Sequence, residues 1–398
     1  MPSRIRKHAL SISALISFAI LASLVARSLT ASAAPKEEMT PLLLSVQDAP
    51  IPFTGSDTVT HLAYEVLLTN FSSGDVTLEK VEILGDGAEL QTLDAKEIAT
   101  RLQPVGTREP TATLSKSTQG ILFVHFQMPE GKHPPRELTH RVTARFAAAP
   151  PDRQLITSTG GTIAVDNRPV AVIGPPLHGT GYISADSCCD AVRHTRATLP
   201  VNGRYWVAQR YAVDWEQVNE QGRIYHGPRE KVESYNIFGK EAIAVADATV
   251  ASTTDGAPEG TPGAYPTNID PAAADGNAVI LDLGQHRYAM YAHLQPGSIK
   301  VHQGDKVHIG QVLGLVGNTG NSLVPHLHFQ LMDQPSSLAS NGLPYEIDSF
   351  EVTARVTSTA AFDQSESDGS PIPHILVTPP DHPKKALPLD QLIINFQP

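Results

Sequence analysis

The stretch Pro325-His326-Leu327-His328-Phe329 decides how the second half of the chain is read. Leu327, Phe329 and Leu331 recur at period two, which predicts a strand with one apolar face. His326, His328 and Gln330 then share the other face. Two imidazoles side by side above a rigid sheet suit a metal site, because one can ligate while the other handles protons. A solvent face carrying two inert histidines would read the same way, so the neighbours decide. Tyr291-Ala292-His293-Leu294 ends an adjoining strand pattern and adds a third histidine, His293.

Working outward, residues 205–214, 242–252, 278–283, 287–293 and 312–316 are short and rich in Val, Ile, Leu and Tyr, which predicts strands. Gly304-Asp305 and Gly317-Asn318 supply turns. Residues 254–276, full of Pro, Gly, Ala and Asp, predict a mobile loop inserted between two strands. Further upstream, Leu62, Tyr64, Val66 and Leu68 alternate, as do Val142, Ala144 and Phe146. Residues 36–150 are therefore expected to form an immunoglobulin-like β-sandwich of unassigned role, ending at Ala147-Ala148-Ala149-Pro150-Pro151. The expected fold class is mainly β throughout.

Two segments fit no regular pattern. Residues 151–200 read as an irregular linker holding the adjacent pair Cys188-Cys189, which could form a vicinal disulfide or pair with other chains. Asp190 and His194 lie close by in sequence, so a metal site there is conceivable. Residues 351–398 read as a C-terminal tail whose 387–396 portion could dock as a last strand.

Composition narrows the function. The 398 residues are 41% hydrophobic, enough for two packed domains, and 32 prolines favour strands and loops over long helices. Two cysteines are too few for a disulfide scaffold. A net charge of −11 argues against a nucleic-acid partner. Arg4, Arg6 and Lys7 precede an uncharged stretch at 9–26, and Ala31-Ser32-Ala33 follows, which reads as a signal peptide cut after Ala33. The remainder is expected to be exported, periplasmic or extracellular; an uncut segment would make a membrane anchor instead.

The ordered series Ala244-Val245-Ala246-Asp247, Gly276-Asn277-Ala278-Val279, Tyr291-Ala292-His293-Leu294, Gly310-Gln311-Val312-Leu313-Gly314, Gly317-Asn318-Thr319-Gly320 and Pro325-His326-Leu327-His328-Phe329 resembles the lysostaphin/LytM-type zinc endopeptidases. The resemblance covers residues 201–350 and implies a small antiparallel-β peptidase domain acting on the peptides of bacterial cell-wall peptidoglycan. It implies that His328 and Asp214 ligate zinc, that His326 is the general base, and that His293 orients the attacking water or stabilises the oxyanion.

The family's first motif places a histidine four residues before the aspartate. In Gln209-Arg210-Tyr211-Ala212-Val213-Asp214 that position holds Arg210. Arginine keeps its proton and has no lone pair, so it cannot ligate zinc. Three readings follow. His226, His194 or a cysteine of the pair supplies the missing ligand. The metal is held weakly and still turns over. Or the Arg210 guanidinium neutralises Asp214 and leaves an inactive module that binds peptidoglycan or regulates a partner cell-wall hydrolase.

Overall fold

A computed structural model describes residues 39–396. The proposed signal peptide at 1–33 lies outside them. Among the described residues no helix is long and apolar enough to cross a membrane.

The protein is mainly β. Towards the N-terminus, a pair of five-stranded antiparallel sheets shares one core. The first runs in the order Leu42–Ser45, Thr60–Asn70, Gln119–Gln127, Leu102–Pro104; the second runs Leu155–Ala164, Glu137–Phe146, Val76–Gly85, Ala88–Asp94. Strand alternation explains the partition. Leu62, Tyr64, Val66 and Leu68 enter the core between the sheets, while Ala63 and Glu65 face the other way, towards the C-terminal region.

The boundary expected at residue 150 moves. Pro151–Arg153 forms a single 3₁₀ turn, and the chain doubles back so that Leu155–Ala164 pairs with Glu137–Phe146. Val165 still belongs to the N-terminal core. The proline pair thus reverses the chain inside the unit, where a linker was expected.

The C-terminal region is organised by an eleven-stranded sheet. Its central order is Asn277–Asp282, Tyr288–Leu294, Leu327–Met332, Val213–Gln217, Gly179–Ala185, Leu392–Phe396, Glu351–Val356. Residues 151–200 are therefore no irregular linker, since they donate a middle strand. The tail adds three strands, Glu351–Val356, His374–Asp381 and Leu392–Phe396. Beneath the sheet Trp215 packs edge-on against Phe396 with centroids 5.2 Å apart, and Phe329 lies between Tyr291 at 5.2 Å and Tyr345 at 5.3 Å. All five rings are buried, and each contributes roughly 1.5–3 kcal/mol through burial.

Two polar clusters fasten the N-terminal sheets to the rest. His61 and His125 meet through Nδ1 and Nε2 at 3.0 Å. Their other nitrogens donate to Asp57 at 3.0 Å and Asp190 at 2.9 Å. The Arg210 guanidinium reaches Glu65 through two bonds of 2.9 and 2.6 Å. Cys188 and Cys189 are bonded to each other.

Candidate metal centre

Three neighbouring strands carry the site. Val213–Gln217 pairs antiparallel with Leu327–Met332, which pairs in turn with Tyr288–Leu294, and the registers set Asp214 opposite His328 and His328 opposite Ala292. His328 and Gln330 share one strand face, while Leu327, Phe329 and Leu331 are buried beneath it. His293 sits where its strand leaves regular pairing, with a register shift between Asn277 and Val279 on the adjoining strand. Its φ is 63°, in the left-handed region that few non-glycine residues adopt. Two hydrogen bonds hold it there: its N–H to Asp275 O at 3.0 Å, and its ring Nδ1 to Thr319 O at 2.7 Å.

His194 completes the group. It lies on the one-turn helix Val192–Thr195, in the segment before the strand of Asp214. Its Nε2 stands 3.3 Å from Asp214 Oδ2. His328 Nδ1 and His326 Nε2 stand 2.8 and 3.4 Å from Asp214 Oδ1.

The tautomers follow from the partners. A carbonyl only accepts, so the ring nitrogen facing it must donate. His194 Nδ1 donates to Asp186 O at 2.8 Å, His326 Nδ1 to Val324 O at 2.8 Å, His293 Nδ1 to Thr319 O, and His328 Nε2 to Gln330 Oε1 at 2.8 Å. In the neutral rings each remaining nitrogen is a lone pair. Three of them face the Asp214 carboxylate, which offers only lone pairs in return. Acceptors opposed at such distances require a cation or protons between them. The donor set is nitrogen and carboxylate oxygen, as zinc prefers, and each ring is oriented through its far nitrogen. His194, Asp214 and His328 can offer three ligand atoms lying within 4.8 Å of one another, and so can His293, His326 and His328.

Electrostatics agree with this. Burial alone would raise the Asp214 carboxyl, yet His194 and His326 hold it well below the usual carboxylate range. Burial would lower His194, but Asp214 outweighs it and pushes the ring up to about 9. His326 is raised in the same way, against burial and by Asp214. His293 is lowered well below its ordinary value, by burial and then by His326 and His328.

Arg210 is not at this site. It is 7% exposed, and its guanidinium is held by Glu65 and by Gly342 O. A guanidinium that cannot shed its proton needs a carboxylate wherever it is buried, and here Glu65 supplies it. The reading in which Arg210 neutralises Asp214 is thereby corrected. Among the candidates for the missing ligand, His226 is exposed and the cysteines are bonded to each other, whereas His194 lies beside Asp214. No fixed local spacing links His194 to Asp214, so motif reading could only place it among several alternatives.

The cleft over the site holds about 490 Å³ and is walled by Asp186, Arg193, Glu216, Tyr265, Asp275 and Glu366, among others. The expected mobile insertion supplies some of this wall through Tyr265, Ala274 and Asp275. It is tied down where Asn318 N–H donates to Glu259 Oε2 at 2.6 Å and Gly260 N–H to Asn318 O at 2.9 Å.

Fold and site together define a β-sheet scaffold presenting a histidine–aspartate cluster that could hold a metal ion, with His293 and His326 beside it. Residues 236–340 carry a peptidase family M23 domain. Over 173 residues, 40% of this chain, the sequence is 30% identical to the peptidoglycan DD-endopeptidase ShyA of Vibrio cholerae. Over 64 residues, 16% of the chain, it is 44% identical both to the glycyl-glycine endopeptidase ALE-1 of Staphylococcus capitis and to lysostaphin of Staphylococcus simulans. These matches span 37%, 17% and 12% of the respective relatives.

Proposed function

We propose that the protein is an exported zinc-dependent endopeptidase that hydrolyses peptide bonds of bacterial cell-wall peptidoglycan. The observation that carries this reading is the convergence of imidazole lone pairs on Asp214, two of them from His326 and His328 inside the stretch 236–340 that matches peptidase family M23. His194, Asp214 and His328 would hold the metal. Zinc bound there supplies Lewis-acid polarisation of the amide carbonyl and a lowered water pKa.

The remaining histidines divide the proton work. His326 has Nδ1 committed to Val324 O, so its Nε2 is free to take a proton from the attacking water and deliver it to the leaving amine. His293 has its single proton on Thr319 O, so its Nε2 accepts from the water and orients it. An immunoglobulin-like sandwich ahead of the domain and a signal peptide cut after Ala33 complete the reading. Arg210 held by Glu65 and His194 beside Asp214 favour this reading over the inactive-module alternative.

The test is zinc-loaded protein on purified sacculi, with released muropeptides read by mass spectrometry. New amino and carboxyl termini are expected, lost on chelation and restored by zinc. Fully metallated protein that releases nothing would overturn the peptidase reading. Mass spectrometry of the protein from its native host tests export, with a first residue near Ala34 expected.

A further inference from the structure

His194 reaches Asp214 from a helix of one turn that has no side-chain cap, so residues outside the helix must aim it. Residues 186–191 reverse the chain between the strand Gly179–Ala185 and this helix. The pivot of the reversal is Asp186, whose φ of 52° lies in the left-handed region. Asp186 O takes the His194 Nδ1–H at 2.8 Å, and the Asp186 carboxylate takes Arg193 at 2.9 Å. The bond from His194 to Asp186 O thus closes a short loop, and that loop contains Cys188 and Cys189.

The residues on either side of the cysteine pair are anchored to different parts of the molecule. Ser187 N–H donates to Asp390 Oδ1 at 3.1 Å and its hydroxyl to Pro388 O at 2.6 Å, both on the C-terminal tail. Asp190 takes His125 at 2.9 Å and Arg101 at 2.6 Å, both on the N-terminal sheets and their helix. Cys188 and Cys189, 2% and 9% exposed, link the two anchors and are bonded to each other. A disulfide between adjacent residues closes a ring over a single peptide bond and denies the backbone most of its rotations there. Closing the His194–Asp186 loop then costs less entropy than it would with free thiols.

We infer that the Cys188–Cys189 disulfide is a redox switch on the metal centre, fixing the turn that aims His194 at Asp214. The inference rests on His194 being a metal ligand, as proposed above. Oxidation joins the two Sγ atoms, releases two protons and passes two electrons to a disulfide donor, which leaves as its dithiol. A chain whose thiols stay reduced folds with His194 poorly aimed and holds zinc weakly. The centre is completed in a compartment oxidising enough to close the pair.

The experiment compares the chain with its disulfide intact, the same chain refolded under a phosphine reductant, and the double variant Cys188→Ser with Cys189→Ser, each checked by thiol titration. Zinc affinity, read by chelator competition, should be about tenfold to a hundredfold weaker in the reduced chain, the usual worth of a group that orients a ligand. The double variant should match the reduced chain and ignore the phosphine, which excludes zinc held by free thiols. Cys188→Ala alone also prevents the bond and serves if the double variant fails to fold. Amide hydrogen exchange should quicken over residues 186–195 while the strand Leu327–Met332 keeps its protection. Equal zinc affinity with and without the disulfide overturns the switch, and so does loss of protection in both places, which would make the bond a general staple. Should no form bind zinc, the metal-centre reading fails separately, and exchange over 186–195 still decides whether the disulfide fixes the turn: faster exchange without it supports that, equal exchange overturns it.

Discussion

His194 Nε2 lies 3.3 Å from Asp214 Oδ2, although the two belong to a short helix and a strand in different stretches of chain. A neutral His194 would turn an acceptor towards the carboxylate, so a proton or a metal cation must lie between the two. The first expectation concerns His194. His194→Ala should weaken zinc binding by more than about a hundredfold, since it removes one of three protein ligands. Arg210→His should gain nothing, because that side chain points at Glu65. Elemental analysis with chelator competition reads both, and a His194→Ala protein keeping one zinc per chain would refute the assignment.

His328 and His326 should separate ligation from proton transfer. His328→Ala should lose most of the metal. His326→Ala should keep it while hydrolysis falls by about 10²–10⁴-fold, the usual worth of a positioned base. Equal metal loss in the two variants would mean that both are ligands.

The Arg210–Glu65 pair should behave as a buried ion pair. Arg210→Met leaves Glu65, itself 4% exposed, without a partner and should cost about 3–5 kcal/mol. Adding Glu65→Met should recover most of that loss. Urea denaturation of the two single variants and the double variant provides the cycle, and additive losses would count against direct coupling.

Acid should destabilise the fold through His140. This ring is fully buried, donates to Gly161 O at 3.2 Å and faces the Tyr64 hydroxyl at 2.8 Å. Burial lowers it to about 4 despite the carbonyls of Gly160 and Gly161. Unfolded, it binds a proton near pH 6.5. Between those values the unfolded chain holds more protons, so stability falls as pH drops from about 6.5 to 4, by roughly 3 kcal/mol for this group. Stability followed against pH should show a shallower decline in His140→Gln; an identical slope would remove His140 as the cause.

The strands at 278–283, 287–293 and 327–331 were readable because one face of each is continuously apolar and turn residues bound them. The shared face of His328 and Gln330 followed from the same alternation. Arg210 was misleading for a different reason. Spacing along the chain says which residues are neighbours in sequence, but the side chain four before Asp214 leaves a turn, where direction is set by tertiary partners. Glu65, on a strand far upstream, decides where that guanidinium goes. Gly179–Ala185 carries no clean alternation because it is a central strand of a long sheet, and its partners, Val213–Gln217 and Leu392–Phe396, lie far apart in the chain.

The strand Gly179–Ala185, in the middle of the large sheet, makes the C-terminal half of the molecule a poor cassette. A fragment cut at residue 201 would open the sheet along the flank of Asp214, discard the helix bearing His194, and leave Arg210 without its carboxylate. Swapping that half onto another carrier, as modular engineering would attempt, would therefore transplant His293, His326 and His328 without His194 and without the strand that flanks Asp214.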